Sequence, residues 1–302
     1  MEPTPLEAAP EALAGGRRVY LKREDAHELG AFKWRGALPT LSEYRDRGAS
    51  TVVTASTGNH GAATAWAASE LGMQAVVYVP DGASRAKLSL IERFGADLRS
   101  RGNDMDAAKA EAASYAAAER FPLFEDGAER AQYDGYRSIA REILRQLDEA
   151  PAAVVVPLGN GALLGGIGLE LCERSSRTLR VGVQSKEAPV MVDCWREGRI
   201  VECSRSQTFA DGLAVRVAIP LAVNVLGEVA SRLYLVSERA IATAVGAYAG
   251  AGIRAEGAAG AALAALPELD DVDGPVVLVV TGRNVDDEVL RRAREDPESL
   301  AS

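Results

Sequence analysis

The chain has 302 residues, 47% hydrophobic and 25% charged, with a net charge of -9. That is the composition of a soluble globular chain with room for one large domain or two lobes. The acidic balance argues against a nucleic-acid partner, which calls for a basic stripe, and no apolar run reaches the roughly 18 residues of a membrane span. The opening stretch, "MEPTPLEAAPEALAGG", has neither the basic start nor the apolar core of a signal peptide. Only His27 and His60 are present, which excludes a multi-histidine metal site. Cys172, Cys194 and Cys203 are odd in number and in no metal-ligand spacing, so they read as reduced thiols of a cytoplasmic protein.

The first element of note is "LGAFKWRGA", residues 29–37. Lys33 lies between Phe32 and Trp34, and no acid stands within three positions of it. One reading is a solvated lysine on the first turn of a helix. The other is an amine set among apolar groups so that it works unprotonated, since desolvation disfavours a charged lysine and a neutral amine forms Schiff bases with carbonyls.

Farther along, short β-branched runs occur at 50–55, 75–79, 152–158, 178–183 and 275–280. Alanine- and leucine-rich stretches with helical spacing lie between them, notably 104–120 and 134–149. Such alternation predicts βαβ units and a mostly parallel sheet, its strands buried on both faces.

Three strand ends carry unusual chemistry, at the place where open α/β sheets bind ligands. After 50–55 comes Ser56-Thr57-Gly58-Asn59-His60-Gly61. This turn could hold a carboxylate on its backbone N–H groups or simply cap a helix. After 152–158 comes Gly159-Asn160-Gly161-Ala162-Leu163. Small residues there let a phosphate approach the backbone at a helix start, and no Lys-Ser/Thr follows to make a nucleotide loop. After 275–280 comes Thr281-Gly282-Arg283-Asn284, whose hydroxyl could face a bound ring or cap the last helix.

Together these motifs resemble the fold-type II pyridoxal phosphate enzymes, the group that includes serine/threonine dehydratases, serine racemase, threonine synthase and cysteine synthase. "YLKREDAHELGAFKWRGA", "STGNHG", "PLGNGALLGG" and "TGRNVD" occur in that family's order and at its approximate spacing. "TFADGLAVRV" (208–217) and "AEGAAGAALAAL" (255–266) look most like the dehydratase and racemase branch.

The resemblance implies an α/β, two-lobed fold like that of the tryptophan synthase beta subunit, with mostly parallel sheets flanked by helices. It implies a large cofactor-binding domain of residues 1–50 and 133–302 and a small substrate-loop domain of residues 51–132. It also implies a homodimer in the cytoplasm acting on a small amino acid.

For the site, the resemblance makes Lys33 the residue that bonds the cofactor and Phe32 a packing group by its ring. Asn59 would bond the phenolic oxygen. Gly159, Asn160, Gly161, Ala162 and Leu163 would offer N–H groups to the phosphate, and Thr281 would meet the pyridine nitrogen. A hydroxyl there should not hold that nitrogen protonated. Ser56, Thr57, Gly58, Asn59 and His60 would hold the substrate carboxylate. The implied reaction is β-elimination of a hydroxyl amino acid such as L-threonine or L-serine to a 2-oxo acid and ammonia.

Departures from the family pattern leave alternatives open. Thr57 replaces the serine of racemases; its hydroxyl permits racemisation, but its extra methyl stiffens the side chain. Gly159-Asn160-Gly161 resembles threonine synthase-like members, which keeps a β- or γ-replacement enzyme of threonine or cysteine synthase type in view. Arg137, within "YDGYRSIAREI", could bind an anionic group of the substrate or lie on a helix surface. A non-catalytic relative that keeps the fold has no need of Lys33, Asn59 and Thr281 together. Gln184 and Val190 stand where metal-binding members carry Glu and Asp, so no metal is expected. The chain end near 302 leaves no room for a regulatory C-terminal domain, and no feedback control is expected.

Overall fold

A computed structural model of the chain describes residues 2–83, 85–201 and 206–301. Cys203 lies outside the described residues. The chain forms two contact-dense units, Met1–Ala31 with Tyr136–Ser302, and Phe32–Gly135.

The larger unit is built on a six-stranded sheet. Its strands are β1 (Leu6–Ala8) and β2 (Val19–Arg23), then β6 (Ala153–Pro157), β7 (Leu179–Ser185), β8 (Arg232–Val236) and β9 (Val276–Val280). In space the order is β1-β2-β9-β6-β7-β8, all parallel except the β1 edge. The β-branched runs of β6 and β9 are wholly buried, as strands covered on both faces must be.

Helices of this unit include α1 (Glu11–Ala14), α7 (Ala162–Arg174), α8 (Val190–Glu197), α9 (Pro220–Val229), α10 (Glu238–Gly250), α11 (Gly257–Ala264) and α12 (Asp287–Glu295). The core packs Val155, Val181, Val183 and Leu278 against Ile241, Tyr248 and the alanines of α11. The parallel β6–β9 pair aligns Val154 with Val277 and Val155 with Leu278. Strand order, not direction, changes there: β7 follows β6 on one side, while β9 lies on the other. In open α/β sheets the loops that follow strands at such a change of order are where ligands bind.

The smaller unit carries a parallel three-stranded sheet, β3 (Thr51–Ala55), β4 (Gln74–Val79) and β5 (Asp97–Ser100). Its helices include α2 (Trp34–Asp46), α3 (Asn59–Glu70), α4 (Arg85–Arg93) and α5 (Met105–Glu119). Ala108, Ala112 and Ala116, one turn apart on α5, pack on Val53, Val76 and Tyr78. The Asp104 side chain caps α5 by accepting from the Ala107 N–H at 2.8 Å, which satisfies one orphan donor.

The five strand runs and the two helical stretches read from sequence are all present within a few residues. Four strands were not among them: β1, β2, β5 and β8. β5 is short and polar, β2 buries Lys22, and β8 mixes Arg232 and Tyr234 with aliphatics, so none shows a clean apolar run. The sequence reading ended the first segment of the large domain at residue 50, whereas the two units part after Ala31. The difference is α2, which packs on α3. Trp34 meets Trp66 edge to face at 6.2 Å.

Candidate active site

In the smaller unit Lys33 stands just ahead of α2 with helical backbone angles. Its amine lies 4.9 Å from the centre of the Phe32 ring. It also donates to the Asp126 carboxylate at 2.5 Å. The counter-charge missing from the local sequence therefore arrives from 93 residues away. Nothing in the stretch "FEDGAER" announces it, because Asp126 is one of three acids in seven residues. Asp126 is the partner of Lys33 that the sequence reading did not name.

Asp126 is held in turn from the helix α6 (Arg130–Gln146). Gln132 Nε2 donates to Asp126 Oδ1 at 3.0 Å, while Gln132 Oε1 accepts from the Gly127 N–H at 2.7 Å. The Tyr133 hydroxyl donates to the Gly127 carbonyl at 2.8 Å. Gly127 has a φ of 95°, a left-handed conformation natural to glycine. Burial pushes the Asp126 carboxyl up. The charge of Lys33 and the hydrogen bonds from Lys33 and Gln132 outweigh that and hold it below the usual carboxylate range.

The 56–60 turn follows β3 and opens α3. Ser56 Oγ accepts from the Gly58 N–H at 3.2 Å. Thr57 and Asn59 are half-buried. His60 turns inward: Nε2 is 3.1 Å from Thr54 Oγ1 and 3.2 Å from the Phe124 carbonyl oxygen. The ring packs on Phe124 at 4.5 Å. A carbonyl only accepts, so that nitrogen carries the proton. Burial lowers the imidazole's affinity for a second proton, with the Asp126 charge opposing. This geometry leaves the His60 backbone, not its ring, as the group able to meet an anion.

The larger unit carries the other two strand-end motifs, on the loops after β6 and β9. Gly161 caps α7 with a φ of 93°. A Cβ at Gly159 would lie 2.4 Å from the Gly212 carbonyl, so only glycine allows that approach. Ala162 and Leu163 form the buried first turn of α7. Asn160 Oδ1 accepts from the Ala162 N–H at 3.1 Å. The Asn160 side chain holds one N–H of this helix start, and the glycines at 159 and 161 put no Cβ beside the others, which suits a phosphate.

After β9, Thr281 is buried and donates to Glu256 Oε1 at 3.1 Å. The rest of this motif does not cap the last helix; Asp286 holds that position. Asn284 Nδ2 instead donates to the Leu29 carbonyl at 2.7 Å, and the Arg283 N–H donates to the Gly30 carbonyl at 2.8 Å. A Cβ at Gly30 would stand 2.6 Å from Asn284 Oδ1. The motif therefore clasps the segment that leads into Phe32 and Lys33.

Arg137 is not gathered with these groups. Its Nε donates to Glu170 at 2.9 Å and its terminal nitrogen to Glu173. Arg141 and Arg174 also bond the buried Glu170. Two carboxylates thus occupy the Arg137 guanidinium. Gln184 Oε1 accepts the Met191 and Val192 N–H groups, each at 3.2 Å, and so caps α8. No cluster of three or more His, Cys, Asp or Glu suited to a metal occurs among the described residues. Nor is any described helix long and apolar enough to cross a membrane.

Comparison with known proteins bears on this arrangement. Residues 1–282 match the family model described as pyridoxal-phosphate dependent enzyme. The biosynthetic L-threonine dehydratase IlvA of Mycobacterium bovis is 36% identical over 96% of this chain and 71% of its own length. The L-threonine ammonia-lyase of Geobacter sulfurreducens is 33% identical over 90% of this chain and 68% of its own. Among solved structures, the processed threonine deaminase isoform 2 of Solanum lycopersicum superposes with a TM-score of 0.92. It is 28% identical, over 97% of this chain and 88% of that one.

Proposed function

The chain belongs to the pyridoxal-phosphate-dependent enzymes, and from that premise we propose that it is an ammonia-lyase acting on a hydroxyl amino acid. It converts L-threonine or L-serine to the 2-oxo acid and ammonia, as a homodimer in the cytoplasm. The observation that carries this reading is the 36% identity to an L-threonine dehydratase across 96% of the chain, in a chain that owns Lys33, Asn59, the 159–163 loop and Thr281.

The residues fit the cofactor. A helix start stripped of side chains at Gly159 and Gly161 takes a dianion, a lysine amine takes an aldehyde, and a buried hydroxyl at Thr281 takes a ring nitrogen. In this reading residues 159–163 hold the phosphate, Asn59 bonds the phenolic oxygen and Phe32 packs by the ring. In this reading the larger unit supplies the phosphate loop and Thr281, and the smaller unit supplies Lys33, Phe32 and the substrate loop with Asn59.

When bound, pyridoxal phosphate supplies the sink for the electrons left at the substrate's alpha carbon. The rest is done by the chain. Ser56, Thr57, Gly58, Asn59 and the His60 backbone hold the substrate carboxylate and fix its orientation. The Lys33 amine takes the alpha proton: the C–H bond breaks and an N–H bond forms. The Cβ–O bond breaks and the β-hydroxyl departs as water with a proton from a nearby acid, which the proton held by Lys33 replaces; the enamine released takes up one water to give the 2-oxo acid and ammonia. Thr57 shapes the pocket around the β-substituent.

An amino-acid panel assayed for 2-oxo acid and ammonia tests this. L-Threonine or L-serine should give both products in equal amounts. A substituted amino acid formed only when a thiol or amine nucleophile is present would replace elimination by the replacement reading. The opposite enantiomer accumulating as fast as the 2-oxo acid would favour racemisation through Thr57.

A further inference from the structure

Lys33 has two tasks that demand opposite protonation states. It must be a neutral amine to bond the cofactor, and it becomes an ammonium each time it accepts a substrate proton. The geometry shows which group answers to the second state. Asp126 bonds the amine at 2.5 Å and is itself braced by Gln132, while Gln132 and Tyr133 occupy both backbone polar groups of the adjoining Gly127. A carboxylate on a turn fixed this way is pre-organised before any ligand arrives.

The other charged and titratable groups facing the pair do not compete for this role. His60, with Nδ1 3.7 Å from Asp126, is kept neutral by burial at ordinary pH. Tyr133 is kept protonated, by burial first and then by the Asp126 charge, with Arg130 opposing. Lys109 acts on His60 through its charge alone.

We propose that Asp126 is a positioning residue for Lys33: its carboxylate clasps the amine as an ammonium whenever Lys33 is not covalently engaged. The clasp brakes cofactor attachment and keeps the freed amine in place during turnover. This rests on the reading of Lys33 as the cofactor lysine.

Attachment replaces the aldehyde C=O by C=N and releases water, and it starts from a nitrogen lone pair. The clasped ammonium has none until one proton leaves and the bond to Asp126 weakens. That proton goes to solvent, because a carboxyl held below the usual range is a poor base. In turnover the sign reverses. Once Lys33 has taken the alpha proton, the new ammonium meets a carboxylate already in place, which favours proton abstraction and keeps the amine from swinging away.

The experiment uses wild-type protein and Asp126→Asn, both stripped of cofactor at neutral pH. Pyridoxal phosphate is added, samples are trapped with borohydride at intervals, and the labelled peptide is measured by mass. Asp126→Asn should attach the cofactor at Lys33 about tenfold faster, the scale of one charge-assisted hydrogen bond discounted for partial exposure. Its kcat should fall by about the same factor with KM little changed, since the loss bears on a charge formed during reaction. Asp126→Glu should recover both. A merely structural Asp126 would slow attachment and lower thermal stability instead.

Attachment at Lys33 that is no faster in Asp126→Asn overturns the clasp. Should that variant not fold, Gln132→Leu loosens the brace and keeps the charge; it should speed attachment by a smaller factor, and an unchanged rate overturns the proposal. Lys33→Ala serves as the separating arm. If it still takes up cofactor elsewhere and turns over, the reading of Lys33 fails, a result distinct from any rate effect at Asp126.

Discussion

The hydroxyl of Thr281 donates to the carboxylate of Glu256 at 3.1 Å, with both side chains buried. Gly282 makes this contact possible, since a Cβ there would lie 2.7 Å from Glu256 Oε2. The Glu256 N–H also donates to the Gly282 carbonyl at 2.9 Å. The Thr281 proton is thus engaged, and an unprotonated ring nitrogen would compete with Glu256 for it. Thr281→Val leaves a buried carboxylate short of one donor, at a cost of about 1–3 kcal/mol. Urea unfolding of the cofactor-free protein should show that loss, and cofactor affinity should fall as well. Unchanged stability would mean that this hydrogen bond contributes nothing net.

Lys33→Ala is expected to abolish turnover and to remove the residue trapped by borohydride. Peptide mass mapping of the trapped wild-type protein checks the assignment. Label on Lys22 or Lys186 in place of Lys33 would contradict it.

Gly161→Asp should weaken cofactor binding severely, because a carboxylate would enter the proposed anion site. Strain contributes too: Gly161 has a φ of 93°, and its Cβ would lie 3.1 Å from the Met191 methyl. Gly161→Ala separates the two effects, carrying the strain without the charge. Titration of the cofactor-free protein should rank affinity wild type, then Gly161→Ala, then Gly161→Asp. Equal affinity in the two variants would leave strain alone as the cause.

Acid should destabilise the smaller unit through His60. Burial holds its folded-state pKa below the ordinary value of 6.5. The unfolded chain then takes up the proton first, and stability present above 6.5 is lost as pH falls toward the folded value. One proton sets a limiting slope of about 1.4 kcal/mol per pH unit. Asp126, also held below its ordinary 3.8, adds a second loss in more acid solution. Urea unfolding across the first pH unit below 6.5 should show the His60 slope, and His60→Gln should flatten it. An equal slope in that variant would assign the titration elsewhere.

Turnover should survive exhaustive chelation, and added magnesium or calcium should not raise it. Gln184, at the position in question, spends its side-chain oxygen on the α8 start. A hard cation prefers carboxylate oxygens. Activity lost with chelator and restored by metal would contradict this.

Local pattern sufficed for much of the molecule. A run of β-branched residues buried on both faces reads as a strand wherever it stands, and Gly159 and Gly161 announce close backbone approach whatever surrounds them. The parallel α/β class and the three strand-end motifs were therefore legible in the sequence. Pairing was not. That β9 lies beside β6, and so brings the Thr281 and Gly161 loops out side by side, depends on contacts more than 100 residues apart. The inward turn of the His60 ring depends on Thr54 and on Phe124, far along the chain. Arg137 reads as either ligand or packing until Glu170 and Glu173 are seen to hold it. Lys33 looked like a cation without a partner because charge acts through space, and Asp126, 93 residues on, meets it only in the folded chain. A sequence shows which groups a chain owns; only its tertiary packing decides which carboxylate an amine meets.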